Sequence, residues 1–291
     1  MFVGTAVFAL VLCSCGFILN SFLLYRVYRV PAIRKTLHDF CINSLIFWSF
    51  LSCLVLGINE LGILISGGVS KDFIRCQISG SFTSLGFGNQ LAVHAILALD
   101  RYLIIVRNND SIAKNSRLFQ FLVLVEFGII VTIVGTLLSV KKYIPMESNI
   151  WCFFQLSEFQ DSIELSVAII MIFYSVLVTL VIIVGYASIF KHTKQTLKSR
   201  IQKSGEMILG SETSQAQTLQ DKVLKTCLVI SGSFLILYGP SFLLLLARLF
   251  QWSTLTTQLS DSIFINLSLF DVIATPCIIA TLKPQYRISC K

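Results

Sequence analysis

Residues 76–102 read CQISGSFTSLGFGNQLAVHAILALDRY, a run with no lysine, arginine or acidic residue between Cys76 and the closing triplet Asp100-Arg101-Tyr102. A helix rises about 1.5 Å per residue, so the 25 steps from Cys76 to Arg101 span about 37 Å, a little more than the hydrocarbon core of a bilayer. One helix through this run puts the cysteine and the triplet on opposite faces of a membrane. Charges at the mouth of a membrane helix either snorkel to the interface or find specific partners that repay their desolvation.

The rest of the chain has the same character. It is 55% hydrophobic and 13% charged, with a mean hydropathy of +0.80, a balance that excludes a soluble domain. Stretches free of lysine and arginine predict seven spans, approximately 2–25, 37–66, 73–106, 116–140, 163–191, 221–250 and 256–282. The fold class is an all-α membrane protein, a seven-transmembrane helix bundle forming a single domain over 1–291.

Eighteen lysines and arginines fall in the connections on one side of these spans and five, namely Lys71, Arg75, Lys141, Lys142 and Arg248, on the other. That bias places the N-terminus outside the cell and the C-terminus in the cytoplasm. The formal charge of +8 follows from the same bias and from attraction to anionic inner-leaflet lipid, so it is no sign of a nucleic-acid partner. Residues 1–25 lack a basic leader and precede a basic loop, as a first span does and a cleaved signal peptide does not.

Of nine cysteines, Cys13, Cys15, Cys41, Cys53, Cys227 and Cys277 lie in apolar segments and Cys290 lies on the basic side, where it is a weak palmitoylation candidate. Only Cys76 and Cys152 reach the oxidising exterior, either as one disulfide or as two free thiols. The exterior stretch from Lys141 to Ile163 surrounds Cys152 with acidic and aromatic residues and has the makings of a lid. The longest polar stretch, Lys191 to Lys225, extends spans five and six around a flexible middle rich in hydroxyls, either a plain connector or a surface for a cytosolic partner. Three histidines, His38, His94 and His192, stand apart from one another and leave no metal cluster, and no paired carboxylates or nucleophile motif suggest an enzyme.

Several further motifs occur in order. Asn20 lies in span one, and Tyr186 lies in span five within Gly185-Tyr186-Ala187-Ser188. Span six carries Phe234-x-x-x-Tyr238-Gly239-Pro240, span seven carries Pro276, and Tyr286-Arg287 follows ten residues later. Proline at 240 or 276 removes a backbone hydrogen bond and kinks its helix, as a static bend or as a pivot. Together with the 76–102 run, these motifs resemble the rhodopsin-like (class A) G-protein-coupled receptors over essentially the whole chain.

The resemblance implies a plasma-membrane receptor for a small molecule, signalling through a heterotrimeric G protein and regulated by arrestin and a receptor kinase. It implies a short cytoplasmic eighth helix over 283–291. Asp100 would hold Arg101 at rest; movement of span six on Phe234, Tyr238, Pro240 and Pro276 would free Arg101 toward Tyr186 and the G protein. Tyr102 completes that coupling element. The matched pocket residues are Thr83, Phe87, Tyr238, Ser241, Phe242, Ile265 and Leu269, with Arg248 and Asp261 at the rim, a lining suited to a small apolar ligand. Thr83 replaces the aspartate of amine receptors, which disfavours an amine. Leu269 replaces the retinal lysine of opsins, so no retinal Schiff base is expected. The short stretch before the first span argues against a large peptide or protein hormone.

The chain also departs from the family. Aligned through Asn43, Trp48 takes the place of the span-two aspartate that helps hold sodium; Thr275 and Ile279 replace the asparagine and tyrosine of the span-seven motif. Asp271 lies five residues before Pro276, and with Gln90 and Asn20 it is the candidate for a relocated sodium or proton site, the alternative being a neutral acid bonded between helices. His94 reads as a packed neutral histidine, with a proton sensor as the alternative. A seven-helix transporter or channel relaying ions through Glu126, Asp271 and His94 is the competing function.

Overall fold

Helix follows helix in the computed structural model, which describes residues 2–30, 37–67, 73–107, 116–139, 143–145, 152–154, 162–203, 211–249 and 257–282. The helices are α1 (Phe2–Arg29), α2 (Leu37–Ser66), α3 (Phe73–Ile105), α4 (Ser116–Ser139), α5 (Ser162–Lys203), α6 (Ser211–Leu249), α7 (Gln258–Leu269) and α8 (Asp271–Leu282). Strands β1 (Tyr143–Pro145) and β2 (Cys152–Phe154) form an antiparallel hairpin between α4 and α5, pairing Tyr143 with Phe154 and Pro145 with Cys152. The helix α8 is the second half of the seventh span; the short helix expected over 283–291 lies outside the described residues.

The seventh span breaks in hydrogen bonding more than in direction. Phe270 keeps a right-handed helical backbone at φ −60° and ψ −23°, and its N–H is shared between the Asn266 and Leu267 carbonyls, 3.1 Å from each. Six residues on, Pro276 has no N–H to give the Val272 carbonyl. The Asn20 side chain supplies the missing donor from α1, with Nδ2 3.0 Å from Val272 O and 2.8 Å from Gly16 O. The two backbones approach closely there: a Cβ on Gly16 would stand 2.6 Å from Val272 Cγ2 and 2.8 Å from Cys53 Sγ. Glycine at 16 and asparagine at 20 thus lock α1 against the proline turn of α8.

The helices α5 and α6 run well past a bilayer. From Lys191 to Lys203 the chain has no glycine or proline to stop α5, whereas Gly205 and Gly210 fall between the two helices. Among the described residues, five segments are long and apolar enough to cross a membrane, and Val123–Ser139 and Leu228–Leu244 supply shorter apolar stretches in α4 and α6. Polarity is distributed inside out. Ile65, Ile236 and Phe173 are 67–80% exposed while Asn20, Glu60, His94, Asp100 and Asp271 are 0–2% exposed. Such a surface is stable only against lipid, and the molecule is a multi-pass membrane protein. At its centre α3 packs against α2, α4, α5, α6 and both strands.

Candidate functional site

At one end of α3, Cys76 is joined to Cys152 by a disulfide, with Cα atoms 5.3 Å apart. This bond hangs the hairpin on the bundle. Gln77, the next residue, reinforces it: its Nε2 donates to Tyr143 O at 2.6 Å and its Oε1 accepts from Tyr143 N at 3.4 Å. Tyr143 is fully buried, and its ring lies where a Cβ on Gly80 would be. The glycine lets the hairpin seat directly on the α3 backbone. The acidic residues Glu147, Glu158 and Asp161 of this exterior stretch, and the Glu164 side chain, lie outside the described residues.

A column of rings fills the middle of the bundle. Phe87 meets Tyr238 with centroids 5.3 Å apart, Tyr238 meets Phe234 at 4.5 Å, and Phe234 meets His94 at 4.2 Å. The spacing of Ser231, Phe234 and Tyr238, three then four residues, sets them on one face of α6, and Phe87 and His94, seven apart, share a face of α3. Polar contacts pin both ends of the column. Tyr238 OH donates to Gln90 Oε1 at 2.8 Å and Gln90 Nε2 donates to Ser49 Oγ at 3.3 Å, joining α6, α3 and α2. Ser231 Oγ is 3.2 Å from His94 Nδ1 and 3.0 Å from Tyr186 OH, joining α6 to α3 and α5.

Two turns beyond His94, Arg101 Nε donates to Asp100 Oδ2 at 2.8 Å, and its Nη2 pairs with the same oxygen. The carboxylate is buried and the guanidinium nearly so. Tyr186 is therefore held by α6 while Arg101 is held by its own neighbour. Tyr102 carries the end of α3, its carbonyl accepting from Val106 N at 2.9 Å.

The residues matched to a pocket are only partly brought together. Phe87 and Tyr238 touch, and Ser241 donates to Phe264 O at 2.9 Å and meets Ser268 Oγ, bracing α6 against α7 beside Pro240. Thr83 turns its hydroxyl back to Ser79 O at 2.8 Å. Leu269 is buried in an apolar cluster with Cys13, Leu56 and Ile63, and Phe242 is half-buried. The Ile265 and Arg248 side chains lie outside the described residues, as do Tyr286, Arg287 and Cys290.

Asn20, Gln90 and Asp271 do not share hydrogen bonds. Asp271 Oδ1 accepts from Thr275 Oγ1 at 2.8 Å within α8, Gln90 faces Ser49 and Tyr238, and Asn20 serves Gly16 and Val272. The Asn20 Oδ1 atom is buried without a partner, and Asp271 lies within electrostatic reach of Tyr238 and Cys53.

Trp48 does not stand where alignment through Asn43 put it. Its ring meets Phe127 of α4 at 5.7 Å, and with Asn89, Ala92 and Glu126 it lines a side cavity of about 170 Å³ among α2, α3 and α4. The interior position belongs to Ser49, one residue and about 100° further round the helix. No motif marks Ser49 or Ser231 in the sequence, although each shares a helical face with residues that a motif does mark.

The chain matches the model of the 7 transmembrane receptor (rhodopsin family) over residues 8–278. It is 22% identical to melanopsin of Mus musculus over 283 residues, covering 94% of this chain and 53% of that protein; the chain thus spans about half the length of the curated relative it matches. The crystal structure of squid rhodopsin superposes with a TM-score of 0.81 at 17% identity, covering 98% of this chain and 83% of the other. With a family match running through nearly all of its spans, the chain belongs to the rhodopsin family of seven-transmembrane receptors.

Proposed function

We propose that this receptor binds a small, largely apolar molecule in the Cys76 half of the bundle and activates a heterotrimeric G protein at the Arg101 end. The N-terminus is then extracellular, the C-terminus cytoplasmic, and the site of action the plasma membrane, with arrestin and a receptor kinase as further cytoplasmic partners. The observation that carries this is the ring column from Phe87 through Tyr238 and Phe234 to His94, which continues through Ser231 to Tyr186. A ligand against Phe87 and Tyr238 touches the same side chains that position the far half of α6. Binding better to the form in which α6 has swung out, it shifts the population toward that form. Ser231 then leaves His94 and Tyr186, and Arg101 leaves Asp100 for Tyr186 and the G protein.

This reading includes no retinal Schiff base. A Schiff base needs a lysine amine, helices α7 and α8 contain no lysine over 258–282, and Leu269 is packed in apolar company. A bound sodium ion has better footing, since Asp271 brings a buried carboxyl and Asn20 an unpartnered carbonyl oxygen to the same end of the bundle core. The transporter reading needs Glu126, His94 and Asp271 to pass charge between them. Each instead has its own partner, Tyr174 OH at 2.7 Å for Glu126, Ser231 for His94 and Thr275 for Asp271.

Nucleotide exchange on a panel of G proteins, measured in cells against lipid-like and odorant-like small molecules, tests the proposal. Exchange above vector control that is lost in Arg101→Ala at equal surface level is expected. Transmembrane current or flux lost in Asp271→Asn, with no exchange on any G protein, would overturn it.

A further inference from the structure

Glu60 takes no part in anything described so far. It lies six residues before the end of α2, on a stripe formed by Ser49, Cys53, Leu56, Glu60 and Ile63, whose spacing of four and three residues marks one face of a helix. Ser49 fixes that face as the inner one, because it meets Gln90 of α3. Eleven residues are three turns and about 16 Å, so Glu60 faces the interior well toward the Cys76 end. Thr83 stands seven residues, about 10 Å, toward the same end from Gln90. Glu60 therefore lies at least one helical turn nearer the Cys76 end than Thr83.

The surroundings are apolar. Leu56 and Ile63, a turn to either side, belong to a buried cluster with Ala9 and Cys13 of α1 and Leu269 of α7. Glu60 is 0% exposed, and neither carboxylate oxygen has a hydrogen-bond partner. Asn59 alongside likewise keeps its own Oδ1 without a partner. Arg75 lies over Gly62 and donates to Ser66 Oγ at 2.9 Å, and Glu60 has no ion pair with it. An acid in a membrane interior is costly, and an unpaired one more so; such a group persists where a partner arrives in the working state.

We infer that Glu60 is the counter-charge for a ligand carrying an organic ammonium on an apolar body, bound where α1, α2 and α7 meet. The inference rests on the receptor reading above for its purpose and deepens it. The carboxylate that Thr83 does not bring on α3 is supplied from α2, and the apolar residues around Glu60, namely Leu56, Ile63 and Leu269, receive the apolar body.

The test uses the full chain in phosphatidylcholine nanodiscs, titrated with primary ammonium ions from butylammonium to 2-phenylethylammonium and with the corresponding neutral alcohols, at matched sodium chloride. The thermal midpoint is followed against probe concentration. The expected result is a saturable rise with ammonium that the alcohols and sodium do not reproduce. Glu60→Gln should weaken the apparent affinity for ammonium by about 30-fold or more, and Glu60→Asp should retain the preference and show that the site tolerates substitution. Equal response to ammonium and alcohol, no response to either, an equal response to sodium, or full ammonium affinity in Glu60→Gln would overturn the inference. Nucleotide exchange is read in parallel: a Glu60-dependent midpoint shift with no exchange on any G protein would keep the site and sink the receptor reading.

Discussion

Between Gln90 and Arg101 the buried polar side chains of α3 are satisfied, His94 by Ser231 and Asp100 by Arg101; toward the Cys76 end, Glu60 and Asn59 of α2 keep buried oxygens with no partner. The two halves share one fold and one lipid environment. Closed networks hold the Arg101 half in one arrangement without help. The open carboxylate makes the Cys76 half incomplete until something enters, which is the asymmetry a ligand-driven switch requires.

What holds the open half together is covalent, so cutting it gives the largest effect. Cys152→Ser should cost about 2–4 kcal/mol by releasing the hairpin, read as a fall in surface level and thermal midpoint. A midpoint within a degree of the parent would mean that Gln77 and the buried Tyr143 seat the hairpin unaided. Next, Glu60→Leu should stabilise the receptor by about 1–3 kcal/mol, because it removes an unpartnered buried acid, whereas His94→Leu should destabilise it by breaking a made bond. Opposite signs in the same thermal assay are what the comparison demands. Equal signs would break it.

Tyr238→Phe leaves the ring column intact but strips Gln90 Oε1 of its donor, at a cost of about 1–2 kcal/mol. Since that bond ties α6 to α3, basal nucleotide exchange should rise. Ser231→Ala acts more gently, losing two neutral bonds that are replaced in part by contacts of His94 and Tyr186 with other groups; about 0.5–1.5 kcal/mol corresponds to a rise in basal exchange of roughly 2–10-fold. Unchanged basal exchange in both variants would show that the closed networks stabilise the bundle without restraining α6.

How much of this was legible in the residues depended on whether a periodicity or an anchor was being read. The course of α3 follows from the rise of a helix and the placement of Cys76 and Asp100-Arg101-Tyr102, whereas the exterior cysteines, open in the sequence between one disulfide and two thiols, are joined in the structure. Trp48 is misplaced by an alignment that hangs on one anchor, Asn43, because a one-residue slip turns a helical side chain by about 100°. The four-and-three stripe through Ser49, Cys53, Leu56 and Glu60 held the correct face all along. Glu60 belongs to none of the motifs, and only the stripe marks it as facing inward. The hairpin escaped because two strands of three residues carry too little pattern to separate from a loop.

The smallest expected effect concerns the border between the halves. Asp271 lies within electrostatic reach of Tyr238 in the ring column, and it accepts a hydrogen bond from Thr275 in its own helix. Asparagine at 271 keeps an oxygen for that hydroxyl, so Asp271→Asn should fold normally and change stability by less than about 1 kcal/mol. A carboxylate that binds sodium or a proton in one arrangement of the helices stabilises that arrangement, and nucleotide exchange then depends on sodium concentration and pH. The substitution should flatten both dependences while leaving maximal exchange within about threefold, a difference below 1 kcal/mol. If exchange in the parent already ignores sodium and pH, or if Asp271→Asn responds as the parent does, Asp271 is a neutral acid bonded to Thr275 and belongs with the closed half of the molecule.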